Sequence, residues 1–400
     1  MPWFIAYALI IALPLVGMYY YTIRQLLNAG DALWNWNRTI ARRWFVCIAS
    51  FANLMPVAVL VTFWIGGREA ALAFSGESRI VDWVFTYPFW FSLVITIQLF
   101  ILLILWHPLR ALVRKFRPSW TGVVPKVTFG LAVFAVAYSC LRISLDTWTI
   151  RLNERDIKLT PEFSALDGVR IVQTADVQGD GRTTPEYVDE LVEKANALKP
   201  DIVLFCGDVV TSGSKYVGST IDVLARLRAR YGKIAVVGDH DMFSGKQPIV
   251  DGLKSAGFTV PQDSSIRLEI NGVPVVITGV VYTYRQRASD STLEFATENG
   301  HPTSSDYKIF LVHQPRESLV QYASSAGYDL FAAGHTHGGQ IAIGIPGVFL
   351  VPPSRFETKY FSGFYRVGKM LVSVNNGLGH TLAPIRFQAP AEITLIRLVK

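Results

Sequence analysis

Hydrophobic and polar positions divide the chain into a part with long apolar runs and a part with short ones. Uncharged runs long enough to cross the hydrocarbon core as helices of about 20 residues cover residues 3–22, 44–66 and 83–106. A fourth run, residues 127–147, contains Arg142 and Asp146 near its end. The pattern predicts an anchor of four transmembrane helices over residues 1–148. Because the first run begins without Lys or Arg, we expect a retained helix and not a cleaved signal peptide.

Basic residues are concentrated in the loops between these runs. Residues 1–149 carry 12 Lys and Arg against 5 Asp and Glu, which accounts for the whole formal charge of +7. Because the basic residues lie between apolar runs, we interpret them as topology signals and do not expect a nucleic-acid-binding protein. Nine of them occupy the first and third loops, whereas the 67–80 loop has two.

This distribution predicts an orientation in the membrane. Positively charged loops stay on the cytoplasmic side, so we expect the N-terminus, the 67–80 loop and everything after the fourth helix to face away from the cytoplasm. If the run at 127–147 does not span, the C-terminal domain is cytoplasmic instead. The runs have no Asp, Glu, Lys or His at mid-membrane depth. Anchoring is therefore favoured over a transporter with a fused sensor domain.

From Val169 onward, short β-branched runs alternate with helical stretches, which is the pattern of a layered α/β domain. Polar residues that could do chemistry directly follow the predicted strands, and they are Asp176, Asp208, Asp239, His240, His313, His335 and His337. Open α/β sheets place their sites at the carboxyl ends of strands. A single Asp in such a position is commonly a helix cap, but seven such residues indicate one site. We place a linker at 149–168 and this domain at 169–400.

The residue types in this set indicate a site for divalent metals. Carboxylates and imidazoles suit Mn, Fe, Zn or Co, and seven candidates are too many for one four-coordinate ion but enough for two ions that share a carboxylate. Two metals about 3.5–4 Å apart can clamp the attacking and leaving oxygens of a phosphoryl displacement and generate hydroxide at neutral pH. His240 is then available as a general acid for the leaving group.

Five motifs in this order resemble the calcineurin-like metallophosphoesterase family, especially its bacterial membrane-associated phosphodiesterase branch. They are Asp176-Val177-Gln178, Gly207-Asp208, Gly238-Asp239-His240-Asp241, His313-Gln314-Pro315 and Gly334-His335-Thr336-His337-Gly338-Gly339-Gln340. The resemblance covers residues 155–400 and leaves out the membrane runs. It implies a two-sheet sandwich flanked by helices, in a protein of the bacterial inner membrane.

The resemblance implies a role for each matched residue. Asp208 would bridge two metals. The first metal would be held by Asp176, Gln178 and His337, and the second by Asp239, His313 and His335. His240 would be the catalytic histidine, and Asp241 would orient it. Two positions depart from the family pattern, because Gln178 replaces a His and Asp239 replaces an Asn. An amide is a weaker ligand than imidazole for Zn or Fe. We therefore expect a weakened first site, a strengthened second site and a preference for Mn or Mg.

The sequence thus predicts an integral membrane enzyme with an α/β metallophosphoesterase domain. The predicted reaction is hydrolysis of a phosphomonoester, phosphodiester or pyrophosphate bond by metal-bound hydroxide. The expected partners are the lipid bilayer and a phosphate-ester substrate, for which a lipid-linked compound is one candidate. The alternative is a non-catalytic regulatory module that binds a metal or ligand through a degenerate site. Activity on a generic phosphodiester separates the two.

Overall fold

The chain forms two compact units. The computed structural model describes the backbone of residues 3–76, 78–298, 303, 305–346, 348–381 and 383–400, and their side chains except at 3–13 and 68–76. The first unit consists of Met1–Leu145, Ile343–Val351 and Ala383–Phe387, and the second of Asp146–Ala342, Pro352–Leu382 and Gln388–Lys400. Two short segments from the C-terminal part of the chain therefore belong to the N-terminal unit.

Long helices dominate the first unit, because an uncharged run satisfies its backbone polar groups most completely as a helix. The helices are α1 (Trp3–Trp34), α2 (Arg38–Ala52), α3 (Leu54–Gly76), α4 (Arg79–Val81), α5 (Tyr87–Phe116) and α6 (Val123–Trp148), with a π-helical turn at Asp82–Thr86 and a 3-10 turn at Pro118–Trp120. Buried side chains of α5 and α6 form the centre of the unit, namely Leu99, Leu103, Ala132 and Ala135.

The number of helices that could cross a membrane is smaller than predicted. Among the described residues, Arg79–Phe116 and Val123–Trp148 are long and apolar enough, and the pair Arg38–Ala52 and Leu54–Gly67, bent by 41°, adds a third if it counts as one span. The prediction of four spans is corrected to two or three for this part of the chain. The predicted span at 3–22 lies in α1, but the side chains of 3–13 lie outside the described residues.

The break inside the second predicted span has a local cause. The side chain of Asn53 donates to the carbonyl oxygen of Ala49 at 2.7 Å and to the hydroxyl of Tyr19 at 3.0 Å. Asn53 also has non-helical backbone angles, with φ −100° and ψ 18°. An amide side chain that bonds its own turn competes with the helical ladder. The uncharged run 44–66 therefore becomes two helices, although its composition gave no sign of a break.

Strands make up the framework of the second unit. They are β1 (Arg151–Lys158), β2 (Arg170–Thr174), β3 (Ile202–Phe205), β4 (Gly232–Ala235), β5 (Phe258–Thr259), β6 (Ser264–Ile270), β7 (Val273–Val280), β8 (Tyr307–Val312), β9 (Leu330–Ala333), β10 (Ile343–Ile345), β11 (Phe349–Val351), β12 (Gly363–Val367), β13 (Met370–Val374) and β14 (Glu392–Val399). The orders β1-β14-β2-β3-β4-β5 and β12-β13-β9-β8-β7-β6 give two six-stranded sheets, and β10 with β11 forms a separate hairpin.

The two six-stranded sheets enclose a common core. Buried aliphatic side chains of both sheets belong to one cluster, among them Ile171, Leu204, Ile277 and Leu311. The remaining helices are α7 (Pro185–Ala197), α8 (Val217–Leu224), α9 (Asp239–Ser244), α10 (Lys246–Ser255), α11 (Asp290–Glu298) and α12 (Glu317–Ser325). Helices α7, α8 and α10 pack on the first sheet, and α11 and α12 pack on the second. The mixed α/β fold with two sheets flanked by helices is confirmed.

Residues 149–168, which we expected to form a linker, contribute structure to the second unit. Strand β1 pairs in parallel with β14 over its whole length, and the 3-10 turn Pro161–Leu166 buries Phe163 and Leu166. Strand β1 is an edge strand, so only Ile157 of its side chains is buried. The resulting run of polar residues resembles a solvated connection in the sequence.

The β10–β11 hairpin belongs to the first unit, although it follows the glycine-rich segment 334–340 closely in the sequence. The side chain of Gln98 on α5 is buried and donates to the carbonyl oxygen of Gly344 at 3.0 Å. Val348, Phe349 and Val351 are exposed. A residue inside the charge-free run 83–106 thus makes a polar contact with this hairpin.

Candidate metal centre

The predicted ligands follow five strands whose carboxyl ends lie at one edge of the second unit. Strands β2, β3, β4, β8 and β9 end one to four residues before Asp176, Asp208, Asp239, His313 and His335. Five of the predicted ligands have positive φ angles between 47° and 71°, namely Asp176, Gln178, Asp208, His335 and His337. Each such position costs about 1–3 kcal/mol in a non-glycine residue. Their concentration here is typical of a functional site.

Asp239, His313 and His335 form one compact group of donors. Oδ2 of Asp239 lies 3.4 Å from Nε2 of His313 and 3.0 Å from Nδ1 of His335. The two ring nitrogens lie 3.3 Å apart. All three donor atoms lie within 4.8 Å of one another, so one cation could contact all of them. The residues are those predicted for the second metal.

The orientation of His313 suits a metal ligand. Its Nδ1 lies 2.7 Å from the carbonyl oxygen of Cys206, and a carbonyl can only accept, so Nδ1 carries the proton. In the neutral ring Nε2 then has a free lone pair, and this atom lies 3.3 Å from Oδ2 of Asp208. Metal-bound histidines are commonly held in this way through their outer nitrogen.

Asp176 presents a buried oxygen that hydrogen bonds leave unused. Its Oδ2 accepts from the backbone N–H of His335 at 2.9 Å, whereas Oδ1 has no hydrogen-bond partner among the residues that the structure describes. Burial raises the pKa of Asp176 to about 7, and the charge of Asp208 adds to this against the opposing charge of His313. Asp176, Asp208 and His313 form a second donor group. A cation would satisfy the unused oxygen, so the residues fit a bound metal.

Gln178, a predicted first-metal ligand, lies beside Asp208 and His337, but its amide is turned away from a ligand orientation. Nε2 lies 3.4 Å from Oδ2 of Asp208 and 3.2 Å from Nε2 of His337, while Oε1 accepts from the hydroxyl of Thr381 at 3.0 Å. A rotation of the amide would exchange the two atoms, and the Thr381 hydroxyl can donate or accept. Gln178 can therefore either ligate through oxygen or close the first site with its NH2 group.

His240 is half-buried beside the same donors, as predicted for the catalytic histidine. Its backbone N–H donates to Oδ1 of Asp208 at 2.8 Å, which places the residue next to the bridging ligand. Its Nδ1 lies 2.5 Å from the carbonyl oxygen of Thr211, so Nδ1 carries a proton and Nε2 is the nitrogen available for chemistry. The ring also lies near Phe243, with centroids 6.3 Å apart.

Asp241, which was predicted to orient His240, binds backbone N–H groups of two neighbouring segments. Its carboxylate accepts from the backbone N–H groups of Asp208, Val209 and Gly238 at 2.8–2.9 Å, and no hydrogen bond among the described residues joins it to His240. The ring of His240 is oriented by Thr211 instead. Asp241 ties the loop after β3 to the turn after β4, because its two oxygens are the acceptors nearest to those three donors. Burial raises its pKa to about 6, with an added contribution from Asp208.

Glu357 and Tyr284 complete the second donor group, and sequence reasoning missed both. Oε1 of Glu357 lies 3.1 Å from Nε2 of His335 and accepts from the Tyr284 hydroxyl at 2.6 Å. Arg316 pairs with the same carboxylate. Burial alone would raise the pKa of Glu357, but the bond and charge of His335 lower it to about 2. Glu357 is thus an ionised acceptor on the outer nitrogen of His335, an arrangement that orients metal ligands.

Gln314 also escaped prediction, although it stands inside one of the motifs. Its Nε2 donates to Oδ2 of Asp239 at 2.7 Å, and the backbone N–H of Tyr284 donates to Oδ1 at 2.6 Å. Both bonds stabilise a charged Asp239, where the family pattern has a neutral amide. The position between His313 and Pro315 was a signal for Gln314. No sequence signal pointed to Tyr284 or Glu357, because each comes from a loop distant along the chain.

Comparison with known proteins agrees with this geometry. The profile of the family described as calcineurin-like phosphoesterase matches residues 169–339. The uncharacterised metallophosphoesterase YkuE of Bacillus subtilis is 30% identical over 263 residues, which are 64% of this chain and 87% of YkuE. An uncharacterised metallophosphoesterase of Helicobacter pylori strain J99 is 29% identical, over 61% of this chain and 64% of its own length.

One relative extends the similarity into the first unit. The Danio rerio protein named transmembrane protein with metallophosphoesterase domain is 25% identical over 407 residues, which are 94% of this chain and 87% of that protein. Together with the YkuE match and the buried carboxylate and imidazole donors, this shows that the chain belongs to the calcineurin-like phosphoesterase family and is a metal-dependent phosphoesterase.

Proposed function

We propose that the chain is a membrane-anchored, two-metal phosphoesterase that hydrolyses a phosphomonoester, phosphodiester or pyrophosphate bond. The observation that supports this most directly is the convergence of three carboxylates and three imidazoles, which are Asp176, Asp208, Asp239, His313, His335 and His337. Three nearby buried carboxylates repel one another and cost solvation energy. Divalent cations between them would offset that cost.

The residues divide into two ligand sets that share Asp208. In the proposal Asp176, Gln178 and His337 hold the first metal, and Asp239, His313 and His335 hold the second. When bound, divalent metals polarise phosphoryl oxygens and lower the pKa of water. The protein supplies the fixed positions: Cys206 holds the ring of His313, Glu357 holds that of His335, and Asp241 holds the loop of Asp208.

His240 would handle the proton of the leaving group. The bond from Nδ1 to the carbonyl oxygen of Thr211 fixes the ring and leaves Nε2 to donate to the leaving oxygen or to a phosphoryl oxygen. A positioned general acid contributes roughly 10²–10⁴-fold to a rate. Phe243, whose ring is near His240, and Arg285, whose guanidinium lies 4.6 Å from that ring's centroid, provide a wall on which a substrate could rest.

The substitutions at Gln178 and Asp239 would change which metals bind. Asp239 adds a negative oxygen ligand to the second site, and Gln178 offers at most an amide oxygen to the first. Oxygen ligands favour harder ions. We therefore expect the second site to be filled at a lower metal concentration than the first. We also expect Mn or Mg to compete with Zn better here than in a site that has the family's His at position 178 and Asn at position 239.

The membrane unit suggests a location and a substrate class. The positive-inside bias supports an inner-membrane protein with its catalytic domain on the extracytoplasmic side, because α6, which follows the basic third loop, is long and apolar enough to span. A lipid-linked phosphate ester is a fitting substrate for a tethered enzyme. Labelling a single cysteine placed at the exposed residue Asp251 in intact cells, with a reagent that does not cross membranes, tests the orientation. Labelling only after lysis would place the domain in the cytoplasm.

The enzyme proposal is tested with the full-length protein in detergent. Bis-p-nitrophenyl phosphate, p-nitrophenyl phosphate and pyrophosphate cover the three bond types, each assayed with Mn and with Zn. His240→Asn should lower turnover by roughly 10²–10⁴-fold, whereas His107→Asn, an exposed histidine of the first unit, should not. Wild-type protein that holds two ions per chain yet turns over none of the three substrates would contradict the proposal.

A non-catalytic metal-binding module is the second candidate, and the amide of Gln178 favours it. With Nε2 directed at Asp208 and His337, the NH2 group occupies the place of a first cation. In that case metal analysis of purified protein should give at most one ion per chain, and the three substrates should remain intact. Two ions with turnover would reject this candidate.

A further inference from the structure

The first unit contains a large groove that the proposed hydrolysis does not use. It has a volume of about 1350 Å³ and lies along α1 and α2, with the start of α5 closing one end. We call it the α1–α2 groove and define it by Val16, Tyr20, Arg24, Arg42, Arg43 and Leu93. Its size is above that of a typical small-molecule pocket, so it could take a long ligand.

The walls of the groove are held together by a polar link. The hydroxyl of Tyr19 on α1 lies 2.5 Å from Oγ of Ser92 on α5, and it accepts from Asn53 at the end of α2 at 3.0 Å. Hydrogen bonds between helices in an apolar setting fix the spacing of those helices. These hydrogen bonds between α1, α2 and α5 fix the width of the groove, so it forms without a ligand.

Its lining changes character from one end to the other. One part of the lining is apolar or aromatic and consists of Val16, Tyr20 and Leu93. The other part is basic and consists of Arg24, Arg42 and Arg43, which lie nearer to the connection at 35–37 between α1 and α2. At 1.5 Å per helical residue, Arg24 stands about 12 Å from Val16 along α1. A ligand that fits both parts has an anionic end and a long apolar end.

The three arginines have charges that the protein does not neutralise. Arg38, which also lines the groove, is bonded to Asn28 and Asp31. Arg24, Arg42 and Arg43 make no hydrogen bond or ion pair with any residue that the structure describes, and the described lining of the groove contains no Asp or Glu. Guanidinium groups bind phosphate through paired, directional hydrogen bonds.

We propose that the α1–α2 groove is a binding site for an anionic phospholipid, with the phosphate on Arg24, Arg42 and Arg43 and the acyl chains along Val16, Tyr20 and Leu93. Basic pockets between transmembrane helices select anionic headgroups in this way. A free phosphate ion would leave the apolar part unfilled. A second copy of the chain would bring its own arginines against these. The inference rests on the membrane anchoring of the proposed function.

The test is native mass spectrometry of the full-length protein in detergent, titrated with phosphatidylglycerol or phosphatidylcholine of the same acyl chains. We expect one phosphatidylglycerol per chain, bound roughly tenfold or more tighter than phosphatidylcholine. Arg42→Gln with Arg43→Gln should remove that preference. The matched control, Arg114→Gln with Arg117→Gln, removes the same charge from exposed positions outside the groove and should keep it.

Several results would overturn the site. These are equal binding of the two lipids, an equal loss in both double variants, or binding of inorganic phosphate without retained lipid. If the double variant shows reduced helix content by circular dichroism, the single change Arg24→Gln replaces it and should weaken phosphatidylglycerol binding several-fold. Because lipid retention is measured without turnover, His240→Asn should leave it unchanged, so failure here is separate from failure of the enzyme proposal.

Discussion

Single side chains decide how the candidate metal centre departs from the motif pattern of the family. Gln178 and Asp239 replace donors that the family pattern provides, and the contacts around each show different degrees of accommodation. Asp239 accepts bonds from Gln314 and Tyr284 that suit its charge. The amide of Gln178 instead finds hydrogen-bond partners in the protein without any metal. The second site is thus adapted to its substitution more completely than the first.

Restoring imidazole at position 178 should strengthen the first site. Gln178→His would replace an amide with a better ligand for Zn or Fe, so we expect the second equivalent of Zn to bind at least about tenfold more tightly. Isothermal titration of the metal-free protein measures this. The surface change Gln247→His is the control, and equal gains in both variants would contradict a role for position 178.

Glu357 should matter for metal affinity although it is not a predicted ligand. Glu357→Gln removes the negative charge on the outer nitrogen of His335, and losing such a partner typically costs about 10–100-fold in metal affinity or activity. Metal titration followed by the hydrolysis assay measures the effect. The control Glu317→Gln removes an exposed partner of Lys359 and should change neither the metal affinity nor the activity. Unchanged metal affinity in Glu357→Gln would show that other contacts orient His335.

Asp241 should be needed for stability more than for proton transfer. Asp241→Ala leaves three buried backbone N–H groups without their acceptor, and unsatisfied buried groups cost about 1–3 kcal/mol each. We therefore expect the free energy of unfolding to fall by about 3 kcal/mol or more, as measured by chemical denaturation in detergent. Asp251→Ala, at an exposed position, is the control. A loss of activity at full stability would restore the predicted role beside His240.

At the scale of elements, the strands and their ends were predictable from the sequence. Helix breaks and loops that come back to the site were not. The motifs located Asp176, Asp208, His313 and His335 because each follows a short apolar run that is typical of a buried strand. Glu357 comes from a loop 22 positions after His335, and only the folded sheet brings it to the ring. Asn53 ends α2 inside an uncharged run through bonds to Ala49 and Tyr19, which depend on a neighbouring helix.

The hairpin β10–β11 should depend on one polar side chain of α5. Gln98→Leu removes the hydrogen bond from this buried side chain to the carbonyl oxygen of Gly344, a loss of about 1 kcal/mol. We expect faster cleavage near Leu350 by a broad-specificity protease, followed by mass spectrometry. Thr96→Val on the same helix is the control, because it removes a buried polar atom without a contact to the hairpin. Equal cleavage of the two variants would show that the bond does not hold the hairpin.

At the scale of the whole molecule, the two units are interleaved in sequence. A fragment that begins at Asp146 retains the segments Ile343–Val351 and Ala383–Phe387 without the rest of the first unit. Such a fragment exposes apolar side chains and should aggregate without detergent. Replacing Val348, Phe349 and Val351 with Thr should give a monodisperse fragment by light scattering. A wild-type fragment equally monodisperse would show that the segments do not need the first unit.

The interleaving also sets an order of events during synthesis. The helices up to Leu145 leave the ribosome first, but the last segment of their unit, Ala383–Phe387, emerges more than 200 residues later. At 5–20 residues per second this delay is roughly 10–50 s. For most of that time, until Gly344 is made, Gln98 has no carbonyl oxygen of the hairpin to bind. The first unit is thus completed only after Ala383–Phe387 has been made, so a chain that stops before residue 383 leaves the helical unit unfinished.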